Sequence, residues 1–175
     1  MGHMKIVVDH DKIEYNGPFD ANGLFRMISQ FMFERGFDFK QDKDFEISSS
    51  VGKSIEWQVS PWKRITDYIR YFVKIRVLVT EMVKIDMTID GKKKKADKGK
   101  VIIIMDAFIE YDYESYWQHK PLLYFIQTIY DYFVFKPYSE KFEQVLVHDS
   151  NTLHDNIEKF FNMYRSYKVI SKLPP

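Results

Sequence analysis

The stretch that most constrains this chain lies between Ile65 and Val79, where an apolar parity alternates with a mixed one. Odd positions read Ile65, Asp67, Ile69, Tyr71, Val73, Ile75, Val77 and Val79, and even positions read Thr66, Tyr68, Arg70, Phe72, Lys74, Arg76 and Leu78. Successive side chains of a strand point to opposite faces, so this period of two specifies an extended segment with one dry face and one mixed face. At about 3.4 Å per residue the strand would reach roughly 50 Å, which calls for curvature or a bulge. The alternation continues through Val83, Ile85, Met87 and Ile89, pauses at Asp90-Gly91, and returns from Val101 to Tyr111. The pattern predicts a long antiparallel hairpin whose basic tip spans the nine residues 92–100.

Shorter runs add strands before it. Lys5 to Asp9 and Lys12 to Tyr15 read as two β segments flanking His10-Asp11, and Asn16-Gly17-Pro18 has turn chemistry. Phe37, Phe39, Phe45 and Ile47 share one parity, then Ile55, Trp57 and Val59 alternate with polar residues as far as Pro61. Strands with one wet face belong to antiparallel sheets.

Helical spacing appears in two regions. Leu24, Phe25, Ile28, Phe31 and Met32 predict one amphipathic helix over about 20–35, with Asp20 as N-cap and Gly36 as its stop. Near the C-terminus, Leu122 to Phe133 suit a helix ending at Lys136-Pro137, and a second helical stretch covers about 139–147. A third, capped among Asp149, Ser150 and Asn151, carries Leu153, Ile157, Phe160, Phe161, Tyr164 and Tyr167 as its apolar stripe. These elements give an α+β fold: a curved antiparallel sheet of about six strands, one helix after the first strands, and long C-terminal helices covering the dry face. One domain is expected over residues 4–168, with 1–3 as a cloning remnant and 169–175 as a frayed tail.

Composition removes several function classes. The 26 basic and 25 acidic residues leave a net charge of +1, so no global field recruits nucleic acid or anionic membrane. The absence of cysteine excludes a disulfide scaffold, a cysteine zinc site, a redox CxxC and a thiol nucleophile. No run of 18 apolar residues and no signal peptide is visible, which makes a cytoplasmic protein the expectation.

Few motifs suggest chemistry. Gly52-Lys53-Ser54 ends like a P-loop, but Ile47 stands where the first glycine belongs and a β-like run follows, so it reads as a turn. GxSxG, HExxH and GxGxxG patterns are missing, and His148-Asp149 and His154-Asp155 lack the i,i+4 spacing of helical metal ligands. His10 has carboxylates on both sides, which strict alternation would point away from it. No catalytic residue, metal or cofactor is therefore expected, although two distant carboxylates would leave no mark in a sequence. Lys92, Lys93, Lys94, Lys95, Lys98 and Lys100 form a basic patch, read mainly as a solvated hairpin tip that also discourages edge pairing. Asp67 breaks the apolar parity of the long strand. It either faces a water-filled cavity or lies at the strand's solvated beginning, and Asp106, amid Ile104 and Phe108, poses the same question.

The element order, over about residues 4–167, resembles the helix-grip fold of the START and Bet v 1-like superfamily, in which a curved sheet closes around a long C-terminal helix. The chain departs from that pattern in having one helix after its first strand where two short ones are usual. The resemblance implies an apolar or amphipathic small molecule held between sheet and helix. Trp57, Asp67, Ile69, Tyr71, Val73, Met105 and Tyr111 would be the lining by strand parity. The competing expectation is a non-enzymatic module that binds nucleic acid, anionic membrane or a protein. It would use the lysine patch and the mixed basic and aromatic parity Arg70, Phe72, Lys74 and Arg76.

Overall fold

The computed structural model describes residues 3–39, 41–49, 52–89, 92–111 and 136–166. In chain order these form β1 (His3–Phe19), α1 (Ala21–Glu34), β2 (Gln41–Ser49), β3 (Gly52–Val59), β4 (Trp62–Arg64), β5 (Ile69–Ile89), β6 (Lys92–Tyr111) and α2 (Lys136–Arg165). The class is α+β. Five strands form an open antiparallel sheet in the order β1-β6-β5-β3-β2, and the three-residue β4 pairs with β5. The first strand thus lies beside the last, and the rest is a meander.

The dry face follows the predicted parity. Tyr71, Val73, Ile75, Val77 and Val79 of β5 and Val101, Ile103, Met105, Ala107 and Ile109 of β6 are each 2% exposed or less. Helix α1 adds Leu24, Ile28, Phe31 and Met32, and α2 adds Leu146, Leu153, Ile157 and Phe161, at i, i+3, i+4 spacings that keep each stripe on one side. Fully burying one such side chain stabilises the fold by about 1.5–3 kcal/mol, so this shared interior holds the layers together.

Helix α1 ends where the sequence says it should. Gly36 adopts φ 75°, Phe37 N–H donates to Met32 O and Gly36 N–H to Phe33 O, which is a Schellman closure. Its beginning differs from expectation. Asp20 occupies the N-cap position without a side-chain capping bond; instead Asp97, from β6, accepts from Ala21 N–H at 3.3 Å. Lys84 stands 2.6 Å from the other Asp97 oxygen, approaching as an ion pair rather than along a hydrogen-bond direction.

Four further expectations are corrected. The two runs at the N-terminus are one strand, β1, with register shifts between Ile6 and Val8 and between Val8 and Asp11. Pro18 stays within it because β1 is an edge strand, where a missing N–H leaves no ladder bond unmade. The long alternation does not begin at Ile65: Thr66 Oγ1 accepts from Tyr68 N–H and Ile69 N–H, and this local bonding turns the chain between β4 and β5. The lysines do not form a nine-residue tip, because β5 and β6 stay paired as far as Ile89 opposite Lys92, which places residues 92–100 within β6; the turn expected at Asp90-Gly91 lies outside the described residues. Finally, α2 runs unbroken from Lys136 to Arg165. Pro137 lies in its first turn, where the missing N–H has no helical partner to lose. Asp149 pairs with Arg35 of the α1 C-cap instead of capping, and Thr152 Oγ1 donates to His148 O, so the polar run stays helical. Residues 121–133, expected to be helical, and the tail at 169–175 lie outside the described residues.

A bulge also marks β5. Thr80 pairs with Lys100 and Val83 with Lys98, so β5 carries one extra residue, and Glu81 takes φ 56°. Opposite it, a Cβ on Gly99 would stand 2.9 Å from Thr80 O and 3.2 Å from Met82 Cα. Glycine is required there by backbone proximity.

Candidate functional site

Two places gather polar groups, one inside the layers and one on the far face of the sheet. The inner site is built around Tyr71. Strand parity points this ring into the core, where its hydroxyl donates to Phe142 O on α2 at 2.8 Å. Its ring lies 6.5 Å from that of Phe37, just past the Schellman turn. Burial pushes the Tyr71 hydroxyl well above the usual phenol range, and the charge of Asp149 and the neighbouring Tyr111 push the same way. Asp149 is 8% exposed and ion-paired with Arg35, while Lys63 Nζ donates to Arg35 O at 2.7 Å. One end of an apolar interior therefore carries a hydroxyl, a carboxylate and a guanidinium. At the other end Tyr15 stacks on Phe161 with centroids 4.2 Å apart, and its hydroxyl bonds Pro18 O.

The residues chosen by parity divide into four groups. Ile69, Tyr71, Val73 and Met105 lie together on the dry face of adjoining strands, with Val73 opposite Ala107 and Ile75 opposite Met105. Trp57 faces the same side but lies under α1, its ring 4.9 Å from Phe25. Tyr111 is half-buried at the end of β6, 6.2 Å from the Tyr68 ring. Asp67 lies outside this interior: its side chain is 92% exposed and pairs with Arg64 at 2.5 Å, in the bend before β5.

Helix α2 is tied to β1 by two polar contacts. Lys5 Nζ donates to Glu143 at 2.6 Å, and His154 Nδ1 lies 2.8 Å from Asp11 Oδ2. Burial alone would lower the His154 pKa, but the hydrogen bond and charge of Asp11, with Glu158 at 3.6 Å, outweigh it and raise the value above 6.5.

The outer site comes from the second β1 bulge. His10 takes φ 49°, which breaks the alternation and brings its ring 2.6 Å from Asp9 Oδ1, while its N–H donates to Asp106 Oδ1 at 2.8 Å. The imidazole is held above its ordinary pKa by the Asp9 hydrogen bond and the charges of Asp106 and Asp9. His10, Asp106, Lys74, Arg76 and Ile104 line a depression of about 210 Å³. Sequence reasoning placed Lys74 and Arg76 on the mixed parity and left open whether Asp106 faces a cavity or solvent, but it missed His10 beside them, since nothing local announces a bulge.

The lysine run occupies a third region. Residues 85–89 and 92–96 pair only with each other among the described residues, since β3 leaves β5 at Met82 and β1 leaves β6 at Asp97. Lys94, Lys95, Lys98 and Lys100 are exposed, and Lys100 pairs with Glu81 at 3.0 Å. No helix among the described residues is long and apolar enough to cross a membrane. Comparison with family models, curated proteins and solved structures finds no match.

Proposed function

We propose that this protein holds an apolar or amphipathic small molecule between the sheet and α2, without catalysing a reaction on it. The observation that carries the reading is the pairing of apolar walls with one polar end. Ile69, Val73, Met105, Leu153 and Ile157 supply the walls, and Tyr71, Asp149 and Arg35 supply groups able to meet a polar head. Small-molecule sites have this composition, mostly apolar with a few placed polar groups. The strand order, with β1 beside β6, and a 30-residue helix packed on β1 support the resemblance to the helix-grip arrangement.

Native mass spectrometry of the purified protein, set against its denatured mass, tests the reading. An added mass on the order of a few hundred daltons that survives high salt is expected, because burial of apolar surface does not depend on ionic strength. Leu153→Trp, which fills the interior from α2, should lose that mass while keeping the fold. A clean apo mass, together with no uptake of fatty acid or of a fluorescent apolar probe, would sink it.

The second reading rests on the two-stranded ribbon. Its exposed lysines suit phosphates of nucleic acid or lipid, and such binding weakens steeply with salt. Neutralising Lys92 to Lys95 should abolish that binding and leave the apolar ligand untouched.

A further inference from the structure

The outer face of the sheet contains a built depression with no part in the reading above. Its walls come from three adjoining strands. Lys74 and Arg76 project from β5, Ile104 and Asp106 lie opposite them on β6, and the bulged His10 closes the side on β1. Arg76 Nε is buried and has no hydrogen-bond partner among the described residues. A buried donor left unsatisfied costs about 1–3 kcal/mol, so such a group marks a place where an acceptor belongs.

The charges select which acceptor. The lining carries two fixed cations, Lys74 and Arg76, against one carboxylate, and one Asp106 oxygen is already engaged by His10 N–H. A protonated His10 would add a third positive group, 3.4 Å from Asp106. Asp9, Asp106 and His10 also bring ligand atoms within 4.8 Å of one another, a spacing suited to a small cation. A cation there would face Lys74 and Arg76 across the same depression and would leave the Arg76 donor unmet. Size points the same way. At about 210 Å³ the space is below the range of about 300–1,000 Å³ typical of drug-sized ligands, so it fits one polar group with a few waters.

We propose that the depression between His10, Lys74, Arg76, Ile104 and Asp106 binds a single oxyanion, a phosphate or a carboxylate, with Arg76 Nε–H as its central donor. A guanidinium suits this role because its planar donors match the oxygens of either group. Lys74 supplies an undirected point charge beside it. The Asp106 carboxylate orients His10 by accepting its backbone N–H, which makes Asp106 a positioning residue.

Nuclear magnetic resonance titration of the full chain with inorganic phosphate, and separately with acetate, tests this at pH 6 with ionic strength held constant by chloride. Saturable single-site shifts at the amides of residues 10, 74, 76, 104 and 106, with a shift of the Arg76 Nε–H resonance, are expected. Saturation by phosphate alone assigns a phosphate ligand, saturation by acetate alone assigns a carboxylate, and either result upholds the site. Arg76→Gln should weaken binding by about tenfold or more, equivalent to about 1.4 kcal/mol. Lys74→Gln should weaken it by a smaller factor, and it serves as the test if Arg76→Gln does not fold. Linear shifts that chloride reproduces, or shifts confined to the lysine ribbon, would overturn the proposal. So would unchanged affinity in a folded Arg76→Gln or Lys74→Gln protein.

Discussion

Ile75 and Arg76 are sequence neighbours in one strand, yet they belong to different regions of the molecule. Ile75 is fully buried against Met105, among aliphatic groups from both helices. Arg76 stands opposite Ile104 on the other face, in a mixture of charged, aromatic and aliphatic side chains. On that side Phe72 and Phe108 lie 6.0 Å apart and Arg70 bonds Glu110 at 2.5 Å, so each apolar ring has a charged neighbour along its strand. The inner face spends its residues on cohesion. The outer face keeps chemical variety on the same rigid backbone, and the two are separated by the pleat alone.

The largest effect should come from testing that separation directly. Ile103→Ala empties a fully buried position and should cost about 2–5 kcal/mol in urea unfolding. Ile104→Ala, one residue on and half-buried, should cost clearly less. Equal losses would mean that something covers the outer face and would erase the contrast. Next in size is Gly99→Ala, whose new methyl would press on the backbone of the β5 bulge. A loss of about 1–3 kcal/mol is expected, because neither Thr80 O nor Met82 Cα belongs to a side chain that can swing away.

The contrast between faces was legible in the sequence, and the reason is physical. Parity is a local property, so Ile69 to Val79 and Val101 to Ile109 declare their sides one residue at a time. The end of α1 was equally local, since Gly36 signals its own stop. What could not be read depends on distant partners. Asp149 looked like a cap until Arg35, 114 residues away, took it up, and Asp11 meets His154 across 143 residues. The β1 bulges left no signature, so two strands were expected where there is one, and His10 went unnoticed beside Asp106. Parity also misled once: Asp67 fits the alternation by coincidence, while the Thr66 hydroxyl holds it in a bend.

The polar end of the inner face can be sharpened with a single oxygen. Tyr71→Phe keeps the ring against Phe37 and removes only the bond to Phe142 O, so about 0.5–1.5 kcal/mol of stability should be lost. If the proposed ligand places its head at this end, the same change should weaken its retention in the native mass spectrum. Tyr71→Phe with unaltered stability would show that the hydroxyl contributes nothing to docking α2.

The smallest effect concerns the tie between α2 and the edge strand. His154 has its pKa raised by Asp11 and Glu158 despite partial burial. A histidine raised in the folded state binds its proton more tightly there than in the unfolded chain. Its stabilising contribution is therefore complete below about pH 6.5 and fades as pH rises through the elevated folded value. Thermal unfolding followed from pH 5.5 to 9 should show that loss on the alkaline side, and Asp11→Asn should flatten it. His10 shifts in the same direction, but its side chain is 76% exposed, so Asp9→Asn should change the profile less than Asp11→Asn. If the two substitutions flatten the curve equally, the Asp11–His154 tie is no stronger than a solvent-exposed pair, and α2 is held by its apolar stripe and its other polar contacts.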